Sequence, residues 1–286
     1  MESHPPMKFS PSEPPTISVV IPTLNQGEYL EECLRSVMDQ QYPRTQLIVI
    51  DGGSIDSTVK ILEAFKRNIN YWISEPDRGQ SHALNKGFAE ATGEVFCWQN
   101  SDDYYADGAF WSVADAFNRH PEAPLVYGDW IEVDASGQLL VQWHAFPFSD
   151  RSARYGGSNA IAQAMFWRRD VHARFGEFPE NLHQVMDHYL TFRIGINEGY
   201  DRFLRIEKTL TAFRRHEEQK TGNLSNSNVS IELAEMDAQL GIRRKGGVVG
   251  GALRLTYRFL RTYRYWRRGG LRYVAARIRE VRPDRT

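Results

Sequence analysis

Hydrophobic and polar positions follow two rhythms along the first half of the chain, and the rhythms take turns. Short apolar runs occur at 17–21 (ISVVI), 47–50 (LIVI), 71–74 (YWIS), 94–98 (EVFCW) and 124–128 (PLVYG). Between them lie stretches with helical spacing at 28–40, 57–67, 80–91 and 107–119. Short apolar runs bounded by turn formers read as strands, and the longer amphipathic stretches read as helices. Their alternation predicts parallel strands joined by right-handed helical crossovers, an α/β fold with a Rossmann-like, mostly parallel open sheet. Ligands of such sheets sit beyond the carboxyl ends of the strands. That singles out residues 22–25, 51–54, 75–79 and 100–103.

After residue 128 the rhythm breaks. A hairpin is expected around the turn DASG at 134–137, a strand near 162–167 and a helix opening close to Met186. The segment TGNLSNSNVS at 221–230 reads as a polar loop able to serve as a mobile lid, and its sequons at Asn223 and Asn228 matter only in a secreted protein. The chain thus divides into a Pro-rich leader (1–15), a domain over 16–240 with halves at 16–128 and 129–240, and a tail over 241–286.

Composition adds two constraints. The 286 residues are 41% hydrophobic, enough for one large domain with an appendage. No run approaches the roughly 18 apolar residues of a membrane span, and the start of the chain lacks the apolar centre of a secretory signal. Two cysteines, Cys33 and Cys97, form neither a disulfide framework nor a zinc motif, so a reducing, cytoplasmic setting is expected.

Charge is more informative. The net value of −1 conceals +12 on residues 241–286, where 13 Arg and one Lys face only Glu280 and Asp284, and −13 on the remainder. An acidic body with a basic tail does not suit a nucleic-acid binder. In the tail Leu255, Phe259, Tyr263 and Trp266 interleave with Arg254, Arg258, Arg261, Arg264 and Arg268. This predicts a basic amphipathic helix, which either docks on an anionic membrane surface or packs on the domain with a solvated Arg face.

Candidate chemistry falls at the strand ends. In QNSDD at 99–103, two adjacent carboxylates follow a buried-looking strand. Adjacent Asp side chains cannot both face one oxygen, so one can coordinate a divalent cation while its neighbour turns to a ribose hydroxyl. A helix cap or a plain turn is the competing reading of the pair. Asp51, followed by GGSIDST, is placed to hydrogen-bond a flat base while the glycines admit close backbone approach, or else to shape the turn. Arg78 offers a planar fork for phosphate or base, or a surface ion pair, and Asn85 lies on a helix entering the same edge.

The order PTLN, DGGSIDST, EPDRGQSHALNKGFAEATGE, NSDD after successive strands resembles the family 2 glycosyltransferases, which have the GT-A fold. The resemblance covers about residues 16–220 and is most specific from Asp51 to Asp103. It implies an inverting enzyme that moves a sugar from a nucleotide diphosphate donor, a uridine diphosphate sugar by default, to a hydroxyl of a glycan or lipid-linked acceptor. Residues 16–128 then bind the donor and 129–240 the acceptor. Pro22, Thr23, Asn25 and Asp51 would line the base pocket, Arg78 would lie near base or diphosphate, Asp102 would contact the ribose, and Asp103 would ligate Mn2+ or Mg2+.

Asn100 stands where many relatives carry the first Asp of a three-carboxylate pattern, leaving one fewer negative charge near the diphosphate. Some of these enzymes recruit a later histidine, for which His216 in AFRRHEEQKTGN is the candidate, with a solvated surface histidine as the alternative and Lys220 as a further diphosphate contact. QVMDHYLTFRI at 184–194 matches the place where the family carries its acidic base, which selects Asp187, with helix capping as the competing role. GGSNAIAQAMFWRRD at 156–170 looks like the acceptor-side segment, in which Gln163 would hydrogen-bond a sugar.

Other nucleotide-binding classes fit less well, since neither GxGxxG after the first strand nor GxxxxGK[ST] occurs. A sugar-phosphate nucleotidyltransferase would want basic residues in PTLNQGEYL, which has none. A non-catalytic carbohydrate-binding or scaffold protein on the same fold is the rival from a different class.

Overall fold

A computed structural model describes residues 13–155, 160–217, 219 and 226–281. Most of the leader, Lys220, Asn223 and residues 156–159 of the acceptor-side segment lie outside the described residues. The first four strands are those the pattern predicts: β1 (Ile17–Thr23), β2 (Thr45–Asp51), β3 (Tyr71–Ser74) and β4 (Val95–Trp98). They pair in parallel in the order β3-β2-β1-β4. The crossovers are α1 (Leu30–Met38), α2 (Thr58–Phe65) and α3 (Gln80–Ala89). Alternate residues of the buried strands face opposite sides of a sheet. Ile17, Val19, Ile21, Leu47 and Val49 accordingly pack with Leu30, Leu34 and Val37 on one side. Val20, Ile48 and Ile50 pack with Ala83, Leu84 and Phe88 on the other.

Beyond β4 the sheet continues with β5 (Tyr104–Tyr105), β6 (Leu125–Asp134), β7 (Leu139–Trp143), β8 (Met165–Arg168) and β9 (Leu204–Arg215). The order is β3-β2-β1-β4-β8-β6-β9-β5, with β7 pairing off β6. Here antiparallel pairs dominate: β8 runs against β4 and β6, β7 against β6, and β5 against β9. The expected hairpin is present, and the Asp134 carboxylate shapes its turn by accepting the amides of Ser136 and Gln138, each at 2.9 Å. The expected strand near 162–167 begins as a single 3-10 turn at Ala162–Ala164. β6 runs through residue 128, so the donor and acceptor halves share one sheet.

Two stretches differ from the pattern reading. β9, a 12-residue strand, went unforeseen because its polar and charged residues (LRIEKTLTAFRR) mask its alternation. The described part of the supposed lid, 226–230, opens α4 (Asn226–Gln239), whose Met236 reaches the core. Ile242 is buried as well, which ties the start of the tail to the body. α5 (Gly247–Val281) then runs for 35 residues, as the tail pattern predicts. Among the described residues no helix is long and apolar enough to cross a membrane.

Candidate functional site

A cleft of about 570 Å³ opens beyond the carboxyl ends of β1 and β4. Its walls include Pro22 and Thr23 from the end of β1, Asp77, Gly79 and Gln80 from the turn into α3, and Asn100 to Asp102 after β4. The far wall carries Ile161, Ala162, Gln163, Gln184 and Asp187. Gly79 holds φ at +114° and donates its amide to Asp77 Oδ1 at 2.7 Å, so the chain turns abruptly and α3 starts at the cleft. A second helix, α6 (Met186–Glu198), also starts there. Helix amino termini direct unpaired N–H groups and a partial positive charge outward, which suits an anionic ligand.

The adjacent aspartates part company at the turn. Asp102 faces the cleft, and its Oδ2 lies 3.1 Å from His216 Nε2. Asp103 turns into the protein, 1% exposed. Its Oδ1 accepts the Arg214 amide at 2.8 Å, and its Oδ2 accepts the side-chain amides of Asn100 and Gln163, each at 3.2 Å. Burial, then the neighbouring Asp102 carboxylate, pushes the Asp103 carboxyl well above the usual carboxylate range. The expected division of labour, ribose at Asp102 and cation at Asp103, therefore does not match the placement. Asp102 is the accessible carboxylate, and Asp103 is engaged on both oxygens.

Asn100 gains a reason from the same geometry. Its Oδ1 accepts from Gln80 Nε2 at 2.9 Å while its Nδ2 donates to Asp103. An Asp there would lose that donor and set a third carboxylate beside two others. Arg214, which the sequence reading did not single out, braces the turn from behind. Its guanidinium, buried between the rings of Tyr29 and Tyr104, donates to the Asp102 and Ala135 carbonyl oxygens at 3.0 and 2.8 Å and pairs with Glu32. His216 is likewise no solvated surface residue: its side chain is 5% exposed and its ring lies 4.8 Å from that of Tyr29. Strand β9 carries Arg214 and His216 directly follows it, so missing the strand hid the pairing.

Four other donor-side candidates are engaged by the protein itself, whereas Pro22 and Thr23 line the cleft as expected. Asp51 is fully buried, its carboxylate accepting the Ser54 amide at 3.0 Å and the hydroxyls of Ser54 and Ser74. This is the turn-shaping reading, not a free base contact. Asn25, at φ +52°, accepts the Ile55 amide at 2.9 Å and is off the cleft wall. Asn85 clips the Phe178 backbone through both ends of its amide, at 2.8 and 2.9 Å. Arg78 is 67% exposed and forms a forked ion pair with Glu180 at 2.6 and 2.8 Å.

Asp187 lies on the cleft wall at the start of α6. The residue capping that helix is Val185, without a side-chain cap bond, so Asp187 is not the cap. Its Oδ1 accepts the His188 amide at 2.8 Å. Three buried polar atoms on the cleft's lining residues have no partner among the described residues: Thr23 Oγ1, Trp98 Nε1 and Gln184 Oε1. Buried polar groups are nearly always paired, and each of these needs a ligand atom or water. Trp98 and Gln184 were absent from the sequence-based candidates, since only a fold shows that the last residue of β4 and the residue before the α6 cap share a wall.

No cluster of three or more metal-ligating His, Cys, Asp or Glu side chains occurs among the described residues. The donor set available to a cation is one accessible carboxylate with one imidazole. That fits a hard divalent ion completing its shell with phosphate oxygens and water.

Comparison with known proteins shows the family and the fold. The model for "Glycosyl transferase family 2" matches residues 18–174. A PGL/p-HBAD biosynthesis glycosyltransferase of Mycobacterium bovis (strain BCG / Pasteur 1173P2) is 28% identical over 248 residues, 80% of this chain and 88% of the relative. Poly-beta-1,6-N-acetyl-D-glucosamine synthase of Staphylococcus epidermidis is 30% identical over 40% of this chain and 28% of its own length. Among solved structures, S. aureus TarS 1–349 in complex with UDP-GlcNAc superposes with TM-score 0.64 at 18% identity, over 85% of this chain and 71% of that 1–349 chain. The mannosyltransferase PcManGT from Pyrobaculum calidifontis, solved with GDP-Man and Mn2+, gives 0.58 at 16% identity over 97% and 83%. The fold is the GT-A type the sequence order suggested, and glycosyl transfer displaces the nucleotidyltransferase and non-catalytic readings. The chain is a glycosyltransferase and belongs to glycosyl transferase family 2.

Proposed function

We propose that the enzyme transfers a sugar from a nucleotide diphosphate donor to a hydroxyl of a glycan or lipid-linked acceptor with inversion at the anomeric carbon. The observation that carries this reading is the pairing of opposed groups across one cleft: Asp102 with His216 beside the donor-side helix start, and Asp187 on the far wall. The nucleotide diphosphate, uridine diphosphate by default, lies along Pro22, Thr23 and the amino terminus of α3. Asp102 and His216 hold Mn2+ or Mg2+, which when bound neutralises charge on the departing diphosphate. Asp103, Asn100, Gln163 and Arg214 keep the Asp102 turn in place. That replaces Asp103 by Asp102 as the ligand, and gives Gln163 a supporting role beside any contact it makes to the acceptor.

Asp187 acts as general base. The acceptor oxygen forms its bond to the anomeric carbon as the bond from that carbon to the diphosphate oxygen breaks, and the acceptor proton passes to the Asp187 carboxylate. A base of ordinary strength suffices, because the hydroxyl becomes acidic only as the new bond forms; what matters is placement within about 2.6–3.2 Å of it. Attack from the wall opposite the leaving group gives inversion.

Two measurements test the reading. Thermal unfolding with nucleoside diphosphates and Mn2+ should show mutual stabilisation, about 2.7 kcal/mol at a hundredfold excess over Kd. NMR of the product should show the anomeric configuration opposite to that of the donor. Absence of stabilisation across the common nucleotides, or a product that keeps the donor's configuration, refutes it.

A further inference from the structure

The two long faces of α5 meet different surroundings. Gly250, Leu253, Tyr257 and Arg261 follow one another at helical spacing and are the less exposed positions. They mark the side of α5 that rests on the body near α7 (Asp150–Tyr155), where Arg264 also stacks over Phe146 at 5.7 Å. About half a turn away, Val248, Leu255, Phe259, Tyr263 and Trp266 form a single stripe. All are exposed, Leu255 by 65%, Phe259 by 71% and Trp266 by 50%. Arg258 and Arg267, both exposed, lie about a quarter-turn to either side of the stripe. The join to the body is firm: Arg244 pairs with Asp237 at 2.8 Å and donates to the Arg154 carbonyl, and the Lys245 amide donates to the Tyr155 hydroxyl at 2.8 Å.

We infer that α5 is a docking helix that lies flat on an anionic lipid surface, with the Val248–Trp266 stripe in the interface and the arginines beside it on headgroup phosphates. An aromatic and aliphatic stripe bordered by guanidinium groups is complementary to a bilayer surface that is apolar beneath and negative above. A second copy of the chain is a poorer occupant, because two such helices face to face would bring two sets of arginines together. Nucleic acid is poorer still, since phosphate contacts would leave Phe259, Tyr263 and Trp266 in water.

Docking bears on the cleft through α7. α7 packs against both α5 and α6, and α6 opens at the cleft wall with Asp187. An acceptor hydroxyl displayed at a membrane surface then approaches from that side.

The test is flotation of the full chain with vesicles of phosphatidylcholine alone or with roughly one-third phosphatidylglycerol. The protein should float with the anionic vesicles, release as salt is raised, and shift its tryptophan emission to the blue. The double variant Phe259→Ser, Trp266→Ser, confined to exposed positions, should lose more than about tenfold in partitioning. The same samples are checked for unchanged thermal unfolding and unchanged stabilisation by nucleoside diphosphate with Mn2+. Failure of the wild type to float, or equal flotation of wild type and double variant, overturns the docking role. So does a dimer in light scattering that the double variant dissolves. Since nucleotide stabilisation is read separately, these outcomes reject docking without touching the reaction assigned to the cleft.

Discussion

The loops beside the cleft and the lining of the cleft treat their polar groups in opposite ways. On the donor side Asp51, Asn25, Asn85 and Arg78 are all satisfied within the protein, by Ser54 and Ser74, by Ile55, by Phe178 and by Glu180. On the lining Thr23 Oγ1, Trp98 Nε1 and Gln184 Oε1 are buried without partners among the described residues, and Asp102 and Asp187 border the open space. The motif residues behind the lining thus hold loops in shape, while the lining, on both sides of the cleft, presents the groups that need a ligand. Motif density reports how tightly a loop is constrained; unpartnered polar atoms report where a substrate pairs.

The contrast breaks most decisively at Asp187. Asp187→Asn should lower transfer by about 10²–10⁴-fold while donor binding, read by thermal shift, stays unchanged. Retained transfer would remove Asp187 from the chemistry. Next in size, Asp102→Asn should cost about 10²-fold in Mn2+-supported turnover with little change in melting temperature, because the amide can still meet His216 but is a poorer cation ligand. Asp103→Asn should do the reverse in kind: its amide would set N–H groups against those of Asn100 or Gln163, destabilising the fold by about 1–3 kcal/mol in denaturant titration. A stable, inactive Asp103→Asn would return the cation to that residue.

Trp98→Phe sharpens the reading of the lining. It removes a donor that has no partner among the described residues and keeps the ring, so stability should hold or rise slightly while KM for one saccharide substrate rises about tenfold. A fall in stability with unchanged KM would mean the indole N–H matters only to packing. The smallest effect is expected at Arg78→Ala. An exposed ion pair contributes at most about 1 kcal/mol, so stability and donor KM should barely move. A large rise in donor KM would mean that the fork leaves Glu180 when nucleotide binds.

The body also carries a pH signature independent of the cleft. His172, packed against Phe88 and Phe96 and accepting from the Trp167 indole N–H at 3.2 Å, is held down to about 4 by burial. The unfolded chain takes up a proton near 6.5 that the folded one refuses until about 4. Stability therefore falls as pH drops through that window, by up to about 3 kcal/mol. His172→Phe should flatten that part of the stability–pH curve in urea titrations; an unchanged curve would assign the slope to other groups.

By itself the sequence determined the first four strands and their helices, the hairpin at Asp134, the helical tail and the family. Each of these rests on local periodicity or on a motif read in order along the chain, and a buried strand or an amphipathic helix is written in its own residues. Only the tertiary structure decided which aspartate of the pair faces the cleft, that Arg214 on β9 and His216 just after it return to meet it, and that Asp51 is already satisfied. Those facts depend on partners 111 to 114 residues away, or on the direction a side chain takes at a turn. A residue's type sets what it can bind; the rest of the fold sets whether it is still free to do so.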